Sequence, residues 1–260
     1  MSSREPVRRH LVLVVLSPLL LLLVWDGATR FGLVDRLLLP SPWTIAMALR
    51  DALVGGYAGV SIFVHVAASL YRVALAFILA AVIGVGLGLL RGLYPRVDAF
   101  CLVPFELVRP IPPLAFIPLF ILWFGIGETS KVLIIFYYAM LMVMLNTQAG
   151  VASCPEDKIR AARSLGASPW QVFSRVVFPA SLPHVVVGLR VALAASLSIL
   201  VASELLGGDR GLGFVISDAS TFFKTDDVFV GIVLIGFIGL LTDRGLALLS
   251  RRIVHWEGKT

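Results

Sequence analysis

The sequence predicts an all-α integral membrane protein with six transmembrane helices, and three observations carry that prediction. Hydrophobic residues make up 58% of the 260 and charged residues 15%, where soluble domains carry about a quarter charged. Mean hydropathy is +0.94, so lipid must be the solvent for most of the chain. The apolar runs are continuous, not alternating, which disfavours a barrel and leaves helices to satisfy their own backbone in a bilayer.

Runs near 20 apolar residues fall at 10–25, 63–90, 100–124, 132–151, 184–206 and 228–249. The first follows Arg8 and Arg9 like a signal peptide, but no small-residue cleavage site comes after it, so an uncleaved helix is expected. The second carries Gly84, Gly88 and Gly92 at four-residue spacing, a smooth face for close helix packing. The third is broken by Pro104, Pro110, Pro112, Pro113 and Pro118, and the carbonyls they free are tolerable only against protein or a wet cavity. There Arg109 either offers an anionic substrate a point charge or pairs with Glu106 one turn earlier. Before the fourth run, Gly125-Ile126-Gly127-Glu128-Thr129-Ser130-Lys131 does not meet the GxxxxGK[ST] phosphate loop. The fifth ends at Ser203 and Glu204, just before Gly207 and Gly208; an ionisable residue there is a functional candidate, read as a gate. In the sixth, Asp243 and Arg244 are adjacent, do not face each other, and mark its inner half.

Six spans put both termini on one side. With both termini cytoplasmic, Arg30, Arg36, Arg50, Lys131, Arg210 and Lys224 lie outside, and Arg72, Arg109, Arg190 and Arg244 lie in or at spans; the other twelve of the 22 Lys and Arg lie inside. That is the direction of the positive-inside rule, so the net charge of +6 implies no nucleic acid. The domain reading is an N-tail, first helix and outer segment over 1–62, a permease core over 63–250 with a cytoplasmic loop at 152–183, and a C-tail over 251–260. Cys101 and Cys154 fit neither a disulfide framework nor a metal spacing.

The cytoplasmic loop contains IRAARSLGASPWQVFSRVVFP, residues 159–179. Pro155 suits a first helical position, with acids Glu156 and Asp157 first and bases Arg160 and Arg163 last, complementing the dipole. Gly166 is the C-terminal stop. Ser168-Pro169-Trp170-Gln171 reads as a capping box for a second helix ending at Pro179. Ala161, Ala162 and Gly166 are small enough to admit another backbone, so the loop is either a docking surface or a turn folded only to satisfy itself.

Ala161-Ala162, three residues, Gly166, nine residues, then Val176-x-Phe178-Pro179 resembles the EAA loop of ABC-transporter permeases. Three further segments, LPSPWTI (39–45), RPIPPLAFIPLFILWFGIGETSK (109–131) and SELLGGDRGLGFVISDASTFFKTD (203–226), are similar to the nitrate/sulfonate/taurine/bicarbonate branch in that order. The resemblance implies a type I ABC importer permease (MetI-like) fold with a cytoplasmic coupling helix. Arg160, Ala161, Ala162, Gly166, Ala167, Ser168 and Pro179 would then couple to a cytoplasmic ATPase dimer that binds ATP and Mg, with no cofactor and no catalysis in this chain. It also implies a second copy of the permease, a periplasmic or lipid-anchored binding protein received by the segment through Phe223, and a bacterial inner membrane. Arg109, Pro112, Pro113, Ser203 and Glu204 are the candidate pathway or gate.

Arg160 departs from the pattern by standing where the motif has Glu. It either pairs with Glu156 at i,i+4, worth about 0.2–0.5 kcal/mol, or meets an acidic residue of the ATPase. Ile159-Arg160-Ala161-Ala162 and His255-Trp256-Glu257-Gly258 lean toward taurine or alkanesulfonate, with nitrate, bicarbonate or an aromatic acid as alternatives. An ion-coupled secondary transporter would instead show inverted repeats and paired ionisable groups at midplane, and a scaffold would need no proline-broken span; the sequence suggests neither.

Overall fold

The computed structural model describes residues 5–254; the C-terminal residues 255–258 that lean toward taurine lie outside them. The helices run α1 (Glu5–Arg30), α2 (Pro42–Gly55), α3 (Ile62–Leu93), α4 (Pro95–Val108), α5 (Ile117–Phe124), α6 (Glu128–Ala152), α7 (Glu156–Ser164), α8 (Pro169–Val172), α9 (Phe178–Leu205), α10 (Leu212–Thr221) and α11 (Thr225–Ile253). Among the described residues four helices are long and apolar enough to cross a membrane: α3, α6, Pro169–Leu205 and α11; the bent pair α4–α5 makes a fifth if counted as one span.

The chain divides into two compact units, one of the residues up to His65 with Val215–Leu234, the other Val66–Phe214 with the residues from Ile235. In the first, Ser41 caps α2 by accepting from Thr44 N at 3.2 Å, with Pro42 opening the helix, the arrangement expected of Ser-Pro at a helix start. Gly56 ends it at φ +77°, where an added Cβ would lie 2.3 Å from Val60 O. Ile45, Ala52, Tyr57, Ile62, Val215, Ala219 and Val230 form this unit's core. The Tyr57 hydroxyl donates to Asp218 Oδ2 at 2.8 Å; burial, and then that carboxylate, push the phenol above its ordinary pKa.

In the second unit α6 packs most extensively against α9. Glycines set the close approaches: an added Cβ would fall 2.7 Å from His184 Cβ at Gly150 and 2.5 Å from Asn146 Cβ at Gly188. The glycine face expected on α3 meets α6, with Gly84, Gly88 and Gly92 against Val143, Thr147 and Val151 at 2.9, 2.5 and 2.5 Å. Such contacts replace the hydrophobic drive that lipid cannot supply between helices.

Two expectations are corrected and two are sharpened. The third span is broken, as its prolines predict: α4 and Pro113–Phe124 meet at 86°, because Pro110, Pro112 and Pro113 have no N–H to continue the ladder. Pro155 is the N-cap of α7, not its first residue. The second loop helix does not stop at Pro179. Proline cannot donate to the carbonyl four residues back, and the chain answers with a π turn over Phe173–Val177, Phe178 N–H bonding to Phe173 O, so helix runs unbroken over Pro169–Leu205. Asp243 also has a partner the sequence did not name: it accepts from Arg190 at 2.9 Å.

Candidate functional site

The second unit holds three polar places in an apolar chain. The first is the loop from α7 to α9. Its turn is local chemistry: Gly166 lies at φ +80°, where only glycine is unstrained, and Ala167 N closes onto Ala162 O at 3.1 Å. Ser168 and Gln171 form the expected capping box, Ser168 N donating to Gln171 Oε1 at 2.8 Å and Gln171 N to Ser168 Oγ at 3.3 Å. Arg160 pairs with Glu156 in a short exposed contact. Leu165 is 89% and Trp170 70% exposed, large apolar groups beside the small Ala161. Ala162 and Ala167, in contrast, pack inward against the buried Val151, Cys154, Val172 and Val177, so those two alanines hold the turn onto its own base. Pro179 lies in the first turn of α9, beyond the π turn. Burial pushes the Cys154 thiol up in pKa, with Lys158 opposing in smaller measure.

The second place is a buried ion cluster where α6 begins and α9 ends. The Arg72 side chain is 2% exposed and that of Glu204 fully buried. Arg72 Nη1 reaches Glu204 Oε1 at 2.5 Å and Arg210 O at 2.8 Å, while its Nε and Nη2 grip Glu128 at 2.6 and 2.5 Å. Ser69 Oγ donates to the Glu204 carboxylate at 2.9–3.0 Å and accepts from Leu212 N at 2.9 Å; Gly213 N donates to Glu204 Oε2 at 2.8 Å. Thus Glu204 sits at the N-terminus of α10, where the dipole favours an anion. Gly211 and Gly213 are steric necessities: an added Cβ would lie 2.4 Å from the Glu204 carboxylate at Gly211, and 2.6 Å from Glu204 Cβ and 2.8 Å from Val201 O at Gly213. Lys131 is also buried. Ser203, beside Glu204, is turned back onto Leu200 O at 2.8 Å.

The sequence marks Glu204 as a gate candidate and shows no paired ionisable groups at midplane; the pair found here lies where α6 begins and α9 ends. Arg72, Ser69, Glu128 and Lys131 were missed. The available signal was a lone arginine inside the run 63–90, which in lipid demands a carboxylate.

The third place is a cavity of about 40 Å³ lined among others by Arg91, Phe105, Glu106, Arg109, Tyr137 and Tyr138. Pro113 also lines it, while Pro112 caps the 3₁₀ turn Pro113–Phe116. Glu106 and Arg109 face the same cavity but form no ion pair, contrary to the pairing considered from sequence. Among the described residues no cluster of metal-ligating side chains occurs.

Comparison with known proteins gives a consistent result. The family described as "binding-protein-dependent transport system inner membrane component" matches residues 78–255. The taurine transport system permease protein TauC of Escherichia coli (strain K12) is 40% identical over 257 residues, covering 98% of this chain and 94% of that one. The nitrate import permease protein NrtB of Synechocystis sp. is 34% identical over 230 residues, covering 85% and 82%. In fold, the chain is similar to an inward-facing structure of the MetNI methionine ABC transporter, with a TM-score of 0.61 at 20% identity, over 73% of this chain and 94% of that one.

Proposed function

The chain belongs to the binding-protein-dependent transport inner membrane component family and is a permease subunit of an ABC importer, and we propose that its cargo is a small sulfonate, taurine foremost. The observation that carries the substrate is likeness to TauC at 40% over nearly the full length of both chains. Nitrate stays a second reading through NrtB.

The working assembly is two copies of this permease, a cytoplasmic ATPase dimer that binds ATP and Mg, and a periplasmic or lipid-anchored binding protein. This chain supplies six spans, α1 being the first, with both termini in the cytoplasm and the core over 63–250; it hydrolyses nothing itself. The α7 helix is the coupling helix. Leu165, Trp170 and Ala161 form its outward surface, Ala162 and Ala167 brace it, and Gly166 and Ser168 fix its turn. Arg160 is held along the helix by Glu156, so the position where the motif has an acid presents a neutral pair to the ATPase. Pro179 sets the π turn that joins this loop to α9. Glu204, with Arg72, anchors the segment leading into α10 beside the outer gate, and Ser203, Arg109, Pro112 and Pro113 belong to the pathway.

Gly166→Asn tests the docking. Asn is the side chain that best tolerates φ > 0 and an added Cβ at Gly166 meets nothing in the chain, so the strain is small, and thermal unfolding of the variant beside wild type measures it. In proteoliposomes with ATPase and binding protein, taurine uptake and substrate-stimulated ATP hydrolysis should fall together. Unchanged coupling would show that no partner sits at this turn. Preference for labelled nitrate over taurine in the wild-type complex would overturn the substrate.

A further inference from the structure

The geometry points to a binding site for a zwitterionic aminosulfonate within this permease, formed by Glu106 and Arg109 at the end of α4 with Tyr137 and Tyr138 of α6. The inference rests on the sulfonate reading above and deepens it.

Four polar groups around one cavity are without partners. Glu106 and Arg109 are one turn apart, a spacing that favours pairing on a helix, yet no ion pair joins them, and both stand exposed at the cavity mouth. Neither tyrosine hydroxyl forms a hydrogen bond within the described chain, although Tyr137 is fixed by ring contacts to Phe116 and Phe120 at 5.4 and 6.1 Å. By contrast Arg72, Arg91 and Arg190, on the apolar helices α3 and α9, each have a carboxylate. A half-buried hydroxyl without a partner is costly, the two charges at the mouth are open to a ligand, and one bearing both charges would satisfy all four groups.

The rear wall is already built. Arg91 is 4% exposed, held by Asp98 at 2.7 and 3.0 Å and stacked 5.0 Å over Phe105. Gln148 secures Asp98 at 2.6 Å. With Arg91 neutralised, Arg109 is the guanidinium open to a sulfonate, for which its planar fork is suited. Glu106 then takes the ammonium, with tyrosine faces nearby to favour a cation. At about 10–15 Å³ per water by the same measure, a cavity of about 40 Å³ has room for three waters, the footprint of a sulfonate's three oxygens. Nitrate and bicarbonate would leave Glu106 unanswered.

The test is equilibrium binding of radiolabelled taurine and ethanesulfonate, which lacks the ammonium, to the permease–ATPase complex in nanodiscs. Taurine uptake by the complete complex is measured alongside. Wild type should bind taurine saturably. Glu106→Gln should weaken taurine at least tenfold while ethanesulfonate, relieved of a repelling carboxylate, binds as tightly or more so, which doubles as its folding control; Arg109→Gln should weaken both. A Glu106→Gln effect that is equal on the two ligands, or absent, overturns the site. Taurine uptake without binding to wild-type permease–ATPase overturns the site alone. No taurine uptake at all overturns the sulfonate reading beneath it.

Discussion

Replacing Glu204 by glutamine keeps the shape of the side chain and removes its charge. The carboxylate accepts from Arg72 Nη1, Ser69 Oγ and Gly213 N, all within 3.0 Å. The amide would keep one acceptor oxygen and turn an NH₂ toward groups that are themselves donors, in a site where both partners are buried. Breaking a buried pair from one side costs about 3–5 kcal/mol, or roughly a hundredfold to several-thousandfold in the folding equilibrium. Glu128 is the internal control: it binds the same guanidinium through two bonds, but its side chain is 55% exposed, so Glu128→Gln should cost about 1 kcal/mol or less. Reversible unfolding of the purified permease in mixed micelles, followed by tryptophan fluorescence with increasing SDS, measures both. Equal losses for the two variants, or a smaller one for Glu204→Gln, would refute the claim that burial and donor count set the strength of this cluster.

Gly88→Leu should abolish recovery of folded protein, since an added Cβ lies 2.5 Å from Thr147, whereas Gly86→Leu, two residues away with nothing within 4 Å, should express normally; size-exclusion yield in detergent distinguishes them. Ser168→Ala removes a helix cap worth about 1 kcal/mol and should speed amide exchange at Gln171 with little change at α6, read by hydrogen–deuterium exchange. Cys154 has a raised thiol pKa, so less thiolate is present at neutral pH. Its maleimide labelling should lag that of the less buried Cys101 and accelerate as pH rises; equal rates at pH 7 would contradict the burial.

What could be read from sequence was what is local. The turn at Gly166 and the Ser168–Gln171 box depend on neighbours within three residues, and both stand as expected. The runs of α3, α6, α9 and α11 announce themselves by continuous apolarity, and the glycine spacing on α3 named the face that meets α6. Short helices fared worse: α2 lacks a long apolar run, although Ser41-Pro42 was a readable start. The ion cluster was out of reach because Arg72 lies 56 residues from Glu128 and 132 from Glu204. Pairing at that separation is a property of the packed bundle. Pro179 misled for a different reason: the rule that proline ends a helix holds for a ladder of fixed pitch, and here the pitch yields.

The π turn fixes a length. An unbroken helix of 37 residues from Pro169 to Leu205 measures about 55 Å at 1.5 Å per residue, while the hydrocarbon of a bilayer is about 30 Å thick. If Leu205 sits near one surface, the other end stands about 25 Å clear of the oil as a stiff mast carrying Trp170 at its tip. A displacement imposed there reaches the Glu204 end along one continuous helix, by way of the π turn and Pro183. The extra residue in the turn also rotates everything beyond it by about 100° relative to a plain α-helix, so the tip and the membrane-embedded shaft are clocked to face different neighbours.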